Sequence, residues 1–182
     1  MFTFPLYSSF WGCSRGSPYV SEVAETIFYE YQNVKGVEIR LARIFNTYGP
    51  FMSPEDGRVI TNFTKQCVTG ADVTIYGTGE QTRSICFISD MVRGLHTLMN
   101  GEHVGPFNLG NPHEMTIKQL AEFIIKLTNS NSKITHHDLP KDDPTKRRPD
   151  ISKAKQFLGW EPLVSPEEGL LKTIEWIKEK VL

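Results

Sequence analysis

The run Val37-Glu38-Ile39-Arg40-Leu41-Ala42-Arg43-Ile44-Phe45 is rich in β-branched and apolar residues, and it stops abruptly at Asn46-Thr47-Tyr48-Gly49-Pro50. Such a run reads as a buried strand over 37–45, ended by the Gly-Pro. Before it, Val23, Ala24, Ile27, Phe28 and Tyr31 recur at helical spacing and Gly36 stops the pattern, which predicts an amphipathic helix over 20–34. Helix, short turn and buried strand make a parallel α/β unit. In open α/β sheets ligands bind beyond the carboxyl ends of the strands, so Asn46, Thr47 and Tyr48 stand where a strand delivers side chains to a ligand. An ordinary turn after a strand would use the same residues.

A chain of 182 residues can hold one sizeable core, or one domain and part of another. Its net charge of -1 gives no electrostatic case for nucleic acid or an anionic membrane. Cys13, Cys67 and Cys86 are odd in number and lack metal or redox spacing, so buried thiols in a reducing, cytoplasmic compartment are the default. His136 and His137 have no partner at ligand spacing and read as a solvated strand end, leaving no metal site implied. No apolar run approaches the length of a membrane span. Residues 1–18 are aromatic at first but carry Pro5 and no basic leading segment, which argues against a signal peptide. They are expected to be an irregular leader unlike the remainder, 19–182.

The rest of the chain continues the α/β alternation. A helix is expected over 58–68, with Val59, Ile60, Phe63 and Cys67 inward and Gly70 as its stop. Strands are expected at 73–76, 82–88, 104–109 and 132–139. Ser89 is read as the cap of a helix to Met99 with Val92, Leu95, His96 and Met99 inward. Thr116 and Gln119 form a capping box for a helix through Thr128, and Asp150 can cap a short helix ended by Gly159. Ser165-Pro166-Glu167-Glu168 supplies the cap, first-turn proline and box glutamate of the last helix.

Arg58, Arg83, Arg147 and Arg148 lie in loops or at element ends, and guanidinium groups are natural forks for phosphate oxygens. A solvated charge is the plainer reading of each. Arg58 also begins a helix, whose free N–H groups favour an anion. Tyr76, beside a glycine-rich turn, could stack on a base or pack in the core. Gly77-Thr78-Gly79 precedes a strand instead of opening a helix, so it fails the context of a dinucleotide fingerprint. Asp90, in the first turn of its helix, reads as a structural carboxylate.

Taken together, one ordered set of motifs resembles a single family. The set is Arg-Ile-Phe-Asn-Thr-Tyr-Gly-Pro at 43–50, Asp-Gly-Arg-Val at 56–59, Asn62-Phe63, Tyr-Gly-x-Gly-x-Gln-Thr-Arg at 76–83 and Ser89-Asp90. It continues with Asn-Leu-Gly-Asn-Pro at 108–112, Asp-Asp-Pro-x-x-Arg-x-Pro-Asp at 142–150 and Leu158-Gly159-Trp160-Glu161-Pro162. From about Val23 to the C-terminus the chain resembles UDP-glucuronate decarboxylase, or UDP-xylose synthase, of the extended short-chain dehydrogenase/reductases.

The resemblance implies the later part of an NAD-binding Rossmann fold with a small substrate-binding α/β lobe woven through it. It implies a hidden redox cycle, in which bound NAD oxidises C4 of UDP-glucuronate, the 4-keto acid loses CO2, and NADH reduces the ketone to give UDP-xylose. By the same resemblance Thr47 and Arg58 neighbour the cofactor, Asn46 contacts the sugar or diphosphate, and Asn62 contacts the nucleotide-sugar. Tyr76 belongs to the uracil pocket, Gln81, Arg83 and Arg147 grip the ribose and diphosphate, and Tyr31 on the 20–34 helix faces the site. That helix corresponds to one that helps form a dimer. The family leaves a Golgi form of its full-length members open beside the cytoplasmic default.

The departures set expectations too. The family's Tyr-x-x-x-Lys falls on Ser17 and Ser21; the nearest tyrosine, Tyr19, has Val23 four residues on, which cannot lower a phenol's pKa as lysine does. No glycine-rich βα turn precedes it, and Phe51 stands where an arginine is usual. The chain is therefore expected to lack a catalytic residue of its own and not to turn over UDP-glucuronate alone. A non-catalytic UDP-sugar-binding or dimerisation module is the alternative, and a related nucleotide-sugar epimerase or 4,6-dehydratase is a third reading.

Overall fold

The computed structural model describes residues 18–138 and 148–182. The expected leader and Arg147 lie outside the described residues. The chain runs α1 (Pro18–Lys35), β1 (Ala42–Ile44), β2 (Thr47–Tyr48), α2 (Val59–Thr69), β3 (Val73–Tyr76), β4 (Thr82–Ser84) and β5 (Cys86–Phe87). It continues through α3 (Ile88–Asn100), β6 (Phe107–Leu109), β7 (Glu114–Thr116), α4 (Ile117–Thr128), β8 (Ile134–His137), α5 (Ser152–Leu158) and α6 (Pro166–Val181). Three of the ladders are parallel, β1 with β6, β2 with β5 and β3 with β8, while β4 and β7 pair antiparallel. Parallel pairing joined by helices is what the alternation of elements requires.

Local chemistry sets the ends of several helices. Thr116 accepts from Gln119 N and the Gln119 side chain returns the bond to Thr116 N, closing the box. Ser165 caps α6 ahead of Pro166, and Asp150 accepts from Ser152 N at the start of α5. Gly70 and Gly159 end α2 and α5 at φ of 74° and 59°, where a side chain would be strained.

The strand expected at 82–88 divides at Ile85 because its partner changes, from β7 on one side to β2 on the other. Side chains alternate across a strand, and here the alternation separates two cores. Ile85 and Phe87 enter the core made by Tyr48, Ile60, Phe63, Val73, Leu120, Ile124 and Leu170, whereas Cys86 enters the one made by Met91, Leu98, Phe107, Leu109 and Trp160. The first core belongs to a small lobe of α2, β3, β7, α4 and α6, and the second to the β1–β6 sheet with α3 and α5.

Three expectations are corrected. Paired strand covers only Ala42–Ile44 of 37–45; Ile39 and Leu41 are buried beside it, but Arg43 is turned out to a bidentate bond with Glu25, both contacts at 2.7 Å. Ser89 does not cap α3, which starts at Ile88 from Phe87. The buried stripe of α3 is Met91, Gly94 and Leu98, while Val92 and Met99 are exposed. Trp160 sets that phase: a Cβ on Gly94 would lie 2.8 Å from its ring, so the helix turns its smallest residue inward, and the indole N–H donates to the Asp90 carbonyl at 2.9 Å.

Candidate functional site

The candidate residues fall into two groups at the carboxyl ends of strands. In the first, the segment after β1 carries Asn46, and Thr47 opens β2. The Asn46 carbonyl accepts from Cys86 N at 2.8 Å, which leaves its side chain exposed, and the Thr47 hydroxyl donates to Phe45 O at 2.8 Å. Arg58, at the N-terminus of α2, reaches back so that Nη1 lies 3.5 Å from the Thr47 carbonyl. The two residues assigned to the cofactor are therefore in contact. The anion expected at this helix end is supplied by the chain itself. Asp56 accepts from Arg58 N at 2.9 Å and from the Thr61 hydroxyl, and pairs with Arg58 Nε at 3.6 Å.

The second group is built around β3. Tyr76 is half exposed at the strand end, and Gln81 Nε2 donates to its carbonyl at 2.8 Å, folding the 77–80 turn back on the strand. Arg83 follows on β4, with Nη1 donating to Thr82 O at 2.8 Å. Gln66 on α2 joins the groups, since its amide both donates to Thr74 Oγ1 at 2.8 Å and accepts from Thr74 N at 3.2 Å. Asn62 is one helical turn before Gln66, and Tyr76 is two strand residues after Thr74. Asn62 itself donates to Gly57 O at 3.0 Å and remains exposed.

Tyr31 stands elsewhere, in an exposed stripe of α1 with Val23, Ile27 and Val34. The helix docks through polar contacts, Glu25 to Arg43 and the Tyr29 hydroxyl to Gly105 O at 3.1 Å. Of the apolar residues at helical spacing, Val23, Ile27 and Tyr31 are exposed, while Ala24 and Phe28 are half-buried. Neither of two surface cavities, of about 560 and 530 Å³, is lined by a candidate residue; one is walled by Phe51, Met52 and Trp176 and the other by Phe51, Ile88 and Val92. The candidate residues line an open face.

Among the described residues no glycine-rich turn leads from a strand into a helix. Gly77 and Gly79 bend the chain between β3 and β4, with Lys118 N donating to Gly79 O at 3.0 Å, and Gly77-Thr78-Gly79 is the only GxG in the sequence. Thr47 and Arg58 remain as the only groups assigned to NAD. The titratable groups beneath β2 serve packing: burial first, then the nearby acidic groups, raises the Tyr48 phenol far above its ordinary value, and burial pushes the Cys86 thiol up to about 12. Neither can ionise near neutrality. Among the described residues no group of three or more His, Cys, Asp or Glu could hold a metal, and no helix is long and apolar enough to cross a membrane.

Two features of the site were not legible as such. Asp56 entered only as part of the Asp-Gly-Arg-Val motif at 56–59, with no role of its own, and His136 and His137 read as a solvated strand end. The parallel β3–β8 register places His137 directly beside Tyr76, 61 residues away in sequence, and no local pattern reports such a pairing.

Comparison with known proteins agrees with this architecture. Residues 17–173 match the family described as GDP-mannose 4,6 dehydratase. UDP-glucuronic acid decarboxylase 4 of Arabidopsis thaliana is 50% identical over 158 residues, covering 87% of this chain and 36% of that protein. UDP-glucuronic acid decarboxylase 1 of Xenopus tropicalis is 50% identical over 159 residues, covering 87% and 38%. The chain thus spans less than half the length of these curated relatives. Among solved structures, the UDP-glucuronic acid 4-epimerase of Bacillus cereus in complex with UDP-glucuronic acid and NAD superposes with a TM-score of 0.81 at 27% identity, over 90% of this chain and 53% of that one. The Thermotoga maritima UDP-glucose 4-epimerase with UDP-glucose gives 0.84 at 30% identity, over 88% and 52%. The resemblance read from the motifs and the partial Rossmann fold are both borne out.

Proposed function

We propose that this chain, which belongs to the GDP-mannose 4,6-dehydratase family of extended short-chain dehydrogenase/reductases, is the uridine-nucleotide-binding part of an enzyme that decarboxylates UDP-glucuronate to UDP-xylose. What supports this is the set Tyr76, Gln81 and Arg83, with an exposed ring at the end of β3, Gln81 bonded to the Tyr76 carbonyl and a guanidinium on β4. An aromatic face suits a base, and a guanidinium suits a diphosphate. Asn46 adds a polar contact for the sugar from the segment between β1 and β2, and Arg147 a second cation for the diphosphate.

In this reading the chain binds but does not turn over. The positions matching the family's Tyr-x-x-x-Lys are Ser17 and Ser21; the Tyr31–Lys35 spacing lies at the far end of α1 with both residues exposed, and Thr47 and Arg58 alone do not hold a dinucleotide. NAD belongs to the reaction of the family, and its binding by this chain is not expected. The exposed α1 stripe of Val23, Ile27, Tyr31 and Val34 supports pairing with a second chain, either another copy or a full-length subunit. The test is an assay of UDP-glucuronate with added NAD, following UDP-xylose and CO2. No product is expected above the buffer blank, and turnover at the rate of an intact decarboxylase would refute the non-catalytic reading.

A further inference from the structure

His137 lies at the end of β8, directly opposite Tyr76 at the end of β3, and residues paired in a parallel ladder project to the same face. Their rings stand 6.0 Å apart at 49°, and both side chains are open to solvent, Tyr76 by 51%. At that tilt a flat group stacked on the tyrosine meets the imidazole at an angle, through its edge. The backbone beneath them is fixed from three sides. Gly77 N donates to His137 O at 2.8 Å, Gln81 Nε2 holds the Tyr76 carbonyl at 2.8 Å, and His136 Nδ1 lies 2.8 Å from the Gly77 carbonyl. The adjacent histidines therefore divide the work, one ring tied to the turn and the other left beside the tyrosine. An exposed pair of rings on a rigid strand end is pre-organised for a planar ligand.

We propose that His137 is a binding residue, the second ring of a two-ring platform on which the base of a pyrimidine nucleotide lies against Tyr76. This rests on the reading of Tyr76 as the base contact.

The test compares the parent chain with His137→Ala, His137→Phe and Tyr76→Ala, titrated with UDP by calorimetry and with uridine by ligand-observed nuclear magnetic resonance. His137→Ala is expected to weaken UDP and uridine alike by about fivefold, the lower end of a base–aromatic contact. His137→Phe is expected to bind within about twofold of the parent, and Tyr76→Ala to lose about tenfold or more. Thermal midpoints of both His137 variants should match the parent, because the side chain is exposed. Unchanged affinity in His137→Ala overturns the platform, as does His137→Phe binding no better than His137→Ala. A loss confined to UDP would make His137 a phosphate contact and also overturns it. If the parent binds neither ligand, the nucleotide-binding reading fails with it, whereas parent binding with an inert His137 refutes this inference alone.

Discussion

Replacing Asp90 by alanine removes the buried acceptor that fastens the C-terminal segment to α3. Its side chain is 3% exposed. One carboxylate oxygen accepts from Leu163 N at 3.0 Å and Val164 N at 2.9 Å, and the other from Arg93 Nη2 at 2.8 Å. Alanine leaves two backbone donors without a partner, at about 1–3 kcal/mol each. Arg93 is 38% exposed and also donates to the Glu161 carbonyl, so water and that carbonyl offset its share. The expected loss is about 3 kcal/mol, in the lower part of the range for breaking a buried ion pair. Asp90→Asn keeps an acceptor for one side but presents N–H to the other, and should cost about half as much. For a chain of this size the alanine variant should unfold about 6–12 °C lower. Urea unfolding followed by circular dichroism measures the difference, with the denaturant slope unchanged if the native structure is otherwise kept. A loss below about 1 kcal/mol, or asparagine as damaging as alanine, would refute the reasoning.

Gly169→Ala on α6 should destabilise by about 1–2 kcal/mol despite the higher helix propensity of alanine, because the new Cβ overlaps the Tyr48 hydroxyl and lies 2.8 Å from Phe87 Cδ2. A raised thermal midpoint would count against it. Stability should fall above pH 9. Burial holds the native Cys86 thiol up to about 12 against an ordinary 9.0, so the unfolded chain ionises first and each pH unit between 9 and 12 costs about 1.4 kcal/mol. Tyr48, raised from 10.0 by burial, adds to the loss above pH 10. Urea midpoints equal at pH 8 and pH 10.5 would contradict that. If the α1 stripe joins two chains, the parent sediments as a dimer and Ile27→Asp as a monomer with a stability within about 0.5 kcal/mol; a monomeric parent would exclude self-association there.

Much of the fold was legible because its signals are local. The Thr116–Gln119 box, the Ser165-Pro166 start and the glycines at 70 and 159 each fix a helix end through bonds made within a few residues. The phase of α3 was not, since apolar counting favours Val92 and Met99 while the real contact is Gly94 under a tryptophan 66 positions on. Strand β7 has no apolar run. It exists through pairing with β4, where the Thr82 hydroxyl donates to Glu114 at 2.6 Å. The switch at Ile85 is likewise a matter of partners on either side. For the site, Tyr76, Gln81 and Arg83 could be named through the family resemblance of the Tyr-Gly-x-Gly-x-Gln-Thr-Arg motif. The neutralisation of the α2 N-terminus by Asp56 and the meeting of Tyr76 with His137 could not, because both depend on tertiary geometry.

Calorimetric titration of the purified chain with UDP and, separately, with NAD tests the central claim most directly. The expected result is saturable binding of UDP, weakened in Arg83→Ala, with no heat of binding for NAD. Binding of NAD would show that Thr47, Arg58 and their neighbours hold the cofactor without a glycine-rich turn, and absence of UDP binding would show that the face at Asn62, Tyr76 and Arg83 is not a nucleotide site in this chain.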